Sequence, residues 1–369
     1  MSKPMHIGIA GAGLLGRLLV WRLVRAGHRV SVFDLAPGPD PLPRSRADEP
    51  YTPTAAAFTA AGMLSPLAEL DNAEPAVAAL GWRSLALWQQ LALALPGNLG
   101  LSVRGSLLLA HQPDLGAARR VLDRLAFAAA TPAWQAACPP EGLQALDAAR
   151  LQALEPAVQG AAHAWLLPGE GQIDTIAAMR ALHAGAAGVQ WHWNAPVQAV
   201  QDSGQLQLAD GQTLQFDAVA DARGVGAKDA LPVRGVRGEV VWLRCPGHGL
   251  TRPIRLLHPR HRVYVVPRSE QDVLVGASEI ETEDRSPVSL RTATELMAAA
   301  HSVLPPLAEA RILFLDANLR PTLPDNNPRT DHAPRLLRIN GLYRHGWLLA
   351  PALVEQALGD NGWASGNLA

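Results

Sequence analysis

The sequence predicts an α/β fold built from two interleaved, discontinuous domains, and three observations carry that expectation. A short apolar run, a glycine turn, a helical pattern and a second apolar run follow one another over residues 6–34. A β-like pattern dominates residues 233–278. A last apolar run and a second glycine turn that opens a helix lie near the far end, at 336–358. The middle of the chain therefore stands between pieces of what reads as one βα unit.

Taken in order, His6–Ala10 is short and apolar. Over Leu14–Arg25, the positions Leu15, Leu18, Leu19, Arg22 and Leu23 recur at helical spacing, and "HRVSVFD" returns as a strand ending at Asp34. Residues 35–54 carry six prolines and read as an excursion without regular structure. In "AAAFTAAGMLSPLAEL" (55–70), small residues and Gly62 lead into a helix that Pro66 cuts short. Residues 73–160 are rich in Ala and Leu and read as mostly helical, with breaks at prolines 96, 113, 132 and 139–140. The stretch 205–224 alternates around Asp210-Gly211 like a hairpin, and its last strand runs into Gly224 and Gly226. Strand patterns follow in "RGEVVWLR", "HRVYVVPR" and "DVLVGAS"; a helix fits 290–303, and "RLLRI" is the last strand before the second glycine turn.

The 369 residues are enough for two domains, and 48% hydrophobic with 18% charged residues is a globular composition. A net charge of −1 provides no broad field for nucleic acid or an anionic membrane. Cys138 and Cys245 supply neither a disulfide framework nor a thiolate metal site and suit a reducing cytoplasm. No cleavable signal is visible, and no apolar run reaches the roughly 18 residues of a membrane span. A soluble cytoplasmic protein is expected, with a homo-oligomer left open.

Gly11, Gly13 and Gly16 form G-x-G-x-x-G between a strand and a helix. The first glycine permits the tight turn, the second lets backbone approach a pyrophosphate, and the third lets helix pack on strand. The helix start at Leu14 and Leu15 then offers unpaired N–H groups and a positive dipole end to phosphates. Asp34, 18 residues beyond Gly16, is placed to accept hydrogen bonds from ribose hydroxyls. This is a Rossmann-like dinucleotide site, and FAD and NAD remain equally open on these residues.

Five stretches then resemble the glycine oxidase branch of the D-amino acid oxidase superfamily, flavoenzymes that include the oxidase of the thiamine pathway. They are "IAGAGLLG" (9–16), "TAAGMLSP" (59–66), "RGVRGEVV" (234–241), "VYVVPR" with "VLVGAS" (263–278), and "LRPTLPD" (319–325) with "GLYRHGWLLAP" (341–351). The resemblance spans nearly the whole chain. It implies noncovalent FAD, since neither cysteine stands where sarcosine oxidase-like relatives attach flavin. It also implies a glutathione-reductase-like FAD domain over 1–80, 150–230 and 310–369, interleaved with a mostly antiparallel substrate domain over 81–149 and 231–309. Ala61, Gly62 and Met63 would pass the flavin ring, although without the resemblance they read equally as an ordinary helix start. Leu35 and Val197 would add cofactor contacts. Gly341, Leu342, Tyr343, Arg344, His345, Gly346, Trp347 and Leu348 would bring a second helix start to the flavin's pyrimidine edge, where reduced flavin is anionic; otherwise Gly341 and Gly346 merely end a strand.

For chemistry, the resemblance implies oxidation of a small, glycine-like amino acid or amine, with hydride passing to the flavin and O2 or another acceptor taking the electrons. Arg320 matches a carboxylate-binding arginine, the natural bidentate anchor; otherwise it pairs with Asp325 or Asp316. Tyr264 matches a tyrosine that bonds the carboxylate and caps the pocket, and Arg344 one near substrate and flavin, or else a loop salt bridge. His345 either reaches the flavin edge or caps its helix. His258 and His261 read as a solvated basic loop, and no metal is expected. Three departures alter the pattern: Arg262 replaces a histidine, Glu279 replaces a hydrophobic residue, and "NNPRTDHAP" follows "LRPTLPD". The rivals are a D-amino acid dehydrogenase, a sarcosine-type oxidase, a nicotinamide-dependent dehydrogenase, which accounts only for residues 6–34, and a flavin-binding protein without turnover.

Overall fold

The computed structural model describes residues 3–41, 54–71, 73–129, 142–257 and 262–364. Two sheets organise them. The first has six strands in the order 329–333, 336–340, 218–221, 6–10, 29–33, 190–192, all pairs parallel except 329–333 with 336–340. Its central strands are buried on both faces, which explains why "IGIA" and "AVAD" carry almost no polar side chains. Ile7, Ile9, Ala218, Ala220, Leu337 and Ile339 point to one side and pack under the helices Leu14–Arg25, Pro75–Ala94, Thr175–Ala184 and Gly346–Asp360. Ala10, Phe33, Val219 and Leu336 point to the other and meet the small three-stranded sheet of residues 197–215.

The second sheet has eight strands in the order 311–322, 234–244, 272–276, 262–267, 254–257, 106–110, 163–167, 144–146. Every pair is antiparallel except 254–257 with 106–110. The helix Leu290–Val303 covers one face through Leu296, Ala300 and Val303. The fold is thus the α/β class expected, a parallel Rossmann-like sheet joined to a mostly antiparallel one. The segments 1–80, 150–230 and 310–369 supply all six strands of the first sheet and also His163–Leu167 and Arg311–Thr322 of the second.

The described residues of 73–160 are mostly helical as expected, over Pro75–Ala94, Leu115–Ala129 and Ala148–Leu154, but Ser106–Ala110 and Gln144–Leu146 within them are strands that the sequence pattern did not separate. "SLLLA" is buried on both sides, Leu107 and Leu109 in one core and Leu108 and Ala110 in another. A short apolar run of that kind has no periodicity to separate strand from helix. One local expectation is corrected: Pro66 does not cut a helix short. It opens the helix Pro66–Glu69, where a missing N–H costs nothing, and Met63–Leu64 before it is a strand paired with Gly171–Gln172. Among the described residues no helix is long and apolar enough to cross a membrane. His258, His261 and Cys138 lie outside the described residues.

Candidate active site

The loops that follow four parallel strands open on one cavity of about 900 Å³. They begin at Gly11, Asp34, Ala222 and Gly341, the crevice beyond the carboxyl ends where parallel sheets take ligands. The opposite wall comes from the antiparallel sheet, through Gly238, Val240, Tyr264, Ser278, Glu279 and Arg320. Both glycine turns, at opposite ends of the chain, therefore reach the same space.

At the first turn Gly11 has φ of 101°, and a Cβ there would lie 2.5 Å from the Ala222 carbonyl oxygen. A Cβ on Gly16 would meet the Gly11 oxygen at 1.9 Å; Gly16 does not line the cavity and its part is packing. Gly13 differs: only Ala55 Cβ, at 3.8 Å, stands near its missing side chain. The helix that starts there has no side-chain cap and no acid in its first turn, so its leading N–H groups remain available toward the cavity. Asp34 Oδ2 accepts from the Ala12 N–H at 2.5 Å and Oδ1 from the Ala36 N–H at 2.7 Å. Behind the turn, buried Arg17 donates to the carbonyls of Ala12, Met179 and Pro39 at 2.8, 2.7 and 2.6 Å. Burial lowers its pKa to about 10, against the pull of Asp34 and Asp40.

Ala61, Gly62 and Met63 line the middle of the cavity. Gly62 has φ of 63°, and Arg268 pins this stretch by donating to Ala61 O at 2.5 Å and Ile173 O at 2.8 Å. At the second turn Gly341 has φ of 77° and Tyr343, unusually for a side chain of its size, φ of 50°. The Tyr343 N–H donates to Pro321 O at 2.9 Å, which ties the turn to the strand carrying Arg320. The helix Gly346–Asp360 also lacks a side-chain cap and a first-turn acid. His345 at its N-cap does not cap it; the ring is buried, with Nδ1 3.2 Å from Glu69 Oε2. Pro351 inside the helix cannot donate to the Trp347 carbonyl, and Trp88 Nε1 does so instead at 2.8 Å.

Arg320 and Tyr264 both lie over glycines of neighbouring strands. A Cβ on Gly238 would come within 2.4 Å of the Arg320 guanidinium, and one on Gly276 within 2.6 Å of the Tyr264 ring. Arg320 donates to the carbonyls of Arg237 (3.2 Å) and Ser278 (3.0 Å), not to Asp325 or Asp316. Burial raises the Tyr264 pKa despite Arg320, Arg255, Arg344 and Arg268 nearby, so its phenol stays a neutral donor. Arg344 is both a cavity residue and an ion-pair partner, 3.2 Å from Glu69 and 3.6 Å from Glu279.

Glu69 and Arg255 are among the cavity residues that sequence reasoning missed. Glu69 is buried, and Arg255 stands 2.6 Å from it. Burial alone would raise the Glu69 pKa, but Arg344, Arg255 and His345 outweigh it and hold the acid well below the ordinary carboxylate range. The available signal was a single acid inside the apolar run "LSPLAEL". Of the expected cofactor contacts, Leu14, Leu15, Leu35, Val197 and all of 341–348 line the cavity.

Fold and cavity belong to the class of flavin-dependent oxidoreductases, with a dinucleotide crevice facing an antiparallel substrate wall. The chain is a member of the FAD dependent oxidoreductase (DAO) family, whose pattern matches residues 6–356. It is 35% identical over 354 residues to a Rhizobium etli protein named for the thiamine biosynthesis oxidoreductase ThiO, covering 95% of each chain. It is 27% identical over 372 residues to the glycine oxidase of Geobacillus kaustophilus, covering 95% of this chain and 91% of that one. The crystal structure of a glycine oxidase from Geobacillus kaustophilus superimposes with a TM-score of 0.77 at 26% identity, over 97% of this chain and 94% of that one. The protein is an FAD-dependent oxidoreductase of this type, and the choice between FAD and NAD falls to FAD.

Proposed function

We propose that the protein oxidises a small amino acid or amine, glycine-like in size, to the imine. The carrying observation is the shape of this cavity. One uncapped helix start lies at the Gly11–Gly16 end, a second lies at 345–348, and Arg320, Tyr264 and Arg344 stand on the wall beside the second. The donor set fits FAD. Open space at Gly13 and Gly346 lets backbone N–H groups approach a ligand, at the diphosphate end and the ring end respectively. When bound, the cofactor supplies the acceptor for the hydride that leaves the carbon bearing nitrogen.

The residues of the chain then do the rest. Arg320, with its guanidinium fixed by two carbonyls and no carboxylate partner among the described residues, anchors the substrate carboxylate. Tyr264 donates its neutral phenol to the same group and closes the pocket. Arg344, held by Glu69, keeps positive charge beside the second helix start, where negative charge develops. Ala61 and Gly62, pinned by Arg268, offer a backbone surface without bulky side chains. The likeness to proteins named glycine oxidase and ThiO supports the amino acid class.

The test is anaerobic mixing of the FAD-loaded protein with a panel of amino acids and N-methyl glycines. Bleaching of the flavin bands by at least one small amino acid is expected; bleaching by none refutes the reading. Oxygen uptake with hydrogen peroxide release, set against dye reduction, then identifies the acceptor.

A further inference from the structure

Three carboxylates line the cavity, and they are not equivalent. Asp34 lies at the first glycine turn with both oxygens accepting backbone N–H groups. Glu69 has an 8% exposed side chain with two arginines against it, Arg255 at 2.6 Å and Arg344 at 3.2 Å, and the His345 ring at 3.2 Å. Glu279 has a side chain 48% exposed and its arginine partner, Arg344, only at 3.6 Å. Of the two carboxylates beside the second glycine turn, Glu69 and Glu279, it is the one a substrate can reach.

Its neighbours in the same loop behave otherwise. Glu281 pairs with Arg234 at 3.1 Å and Glu283 with Lys228 at 2.5 Å, and neither lines the cavity. Glu279 alone of the three faces inward, beside the Tyr343 phenol, whose pKa is pushed up to about 12 by burial, by a hydrogen bond to Glu279 and by the Glu279 charge. It also follows Ser278, whose carbonyl fixes Arg320 at 3.0 Å. One wall thus presents a cation and, one residue from the group that positions it, a reachable anion.

We infer that Glu279 pairs with the ammonium group of the incoming substrate and takes a proton from it before the hydride leaves, so that the pocket selects zwitterionic amino acids over hydroxy acids of the same shape. This rests on the amino acid reading above, with the carboxylate on Arg320 and the nitrogen toward Glu279. A hydroxy acid offers the same carboxylate but no cation, and so brings negative charge toward Glu279 with nothing of its own to offset the repulsion.

The experiment is equilibrium titration of the FAD-loaded protein, followed by perturbation of the flavin spectrum, with glycine against glycolate and alanine against lactate. In the wild type at least one amino acid should bind about tenfold or more tightly than its hydroxy acid partner. In Glu279→Gln that amino acid should weaken about tenfold while the hydroxy acid keeps its affinity, erasing the preference. An unchanged preference in Glu279→Gln overturns the assignment, as does equal weakening of both partners, which marks a structural role. Retained hydroxy acid binding and an unaltered flavin spectrum show the variant folded. Amino acids that bind selectively without bleaching the flavin would refute the oxidation reading and leave this one standing; absence of any binding refutes both.

Discussion

Arg344 Nε stands 3.2 Å from Glu69 Oε2, an ion pair that joins the turn before the last helix to the short helix Pro66–Glu69 across the cavity wall. Because Arg255 and His345 reach the same carboxylate, removing it leaves several buried positive groups without their counter-charge. Glu69→Ala should destabilise the protein by about 3–5 kcal/mol in urea unfolding. The pair also sets a pH dependence. A carboxylate held below its usual pKa contributes fully above the ordinary value of 4.5, and that contribution is lost as the pH falls further. Melting temperatures of the wild type and Glu69→Gln should therefore converge on acidification below 4.5.

Glu170 should show the opposite sign. It is buried with Ser106 and the Ala68 N–H on its oxygens, and burial raises its pKa from 4.5 to about 7. An acid raised on folding favours the native state below 4.5, and that advantage is lost as the pH rises through about 7. The displacement corresponds to on the order of 3 kcal/mol. Stability measured across this range should decline in the wild type and stay flatter in Glu170→Gln.

Arg320→Ala should raise the substrate KM about a hundredfold or abolish flavin reduction, while the visible flavin spectrum persists. Arg320→Lys, a point charge without the fork, should recover only part of the loss. Unchanged steady-state kinetics would remove Arg320 from the site.

The glycines of the first turn should separate cofactor retention from folding. Gly13 has open space and an ordinary backbone conformation, so Gly13→Val should leave the fold near wild-type stability and strip FAD during purification. A Cβ at Gly16 strikes the Gly11 carbonyl at 1.9 Å, so Gly16→Ala should cost about 3 kcal/mol or more whether or not FAD is present. Calorimetry with and without added FAD distinguishes the two.

Asp34→Ala should lower FAD occupancy and loosen the turn, because its carboxylate holds the Ala12 and Ala36 N–H groups as well as facing the cavity. An affinity loss of about tenfold is expected by fluorescence titration. Full occupancy after purification would overturn the ribose assignment.

By itself the sequence determined the local elements whose signals are short in range. These were the strand–turn–helix–strand at 6–34, the hairpin at Asp210-Gly211, the helix 290–303 and the glycine turn at 341. Glycine spacing and period-3.6 or period-2 patterns suffice for these because backbone sterics and one buried face decide them. The resemblance carried Arg320, Tyr264 and Arg344 to the wall where they lie. Only the tertiary structure decided what depends on neighbours remote in sequence. "SLLLA" became a strand because two cores close on it, and Pro66 opened a helix instead of ending one. Glu69 became a buried counter-ion because Arg255 and Arg344, 186 and 275 residues away in sequence, converge on it. Charge burial is a sum over everything packed around a group, and no window of sequence contains that sum.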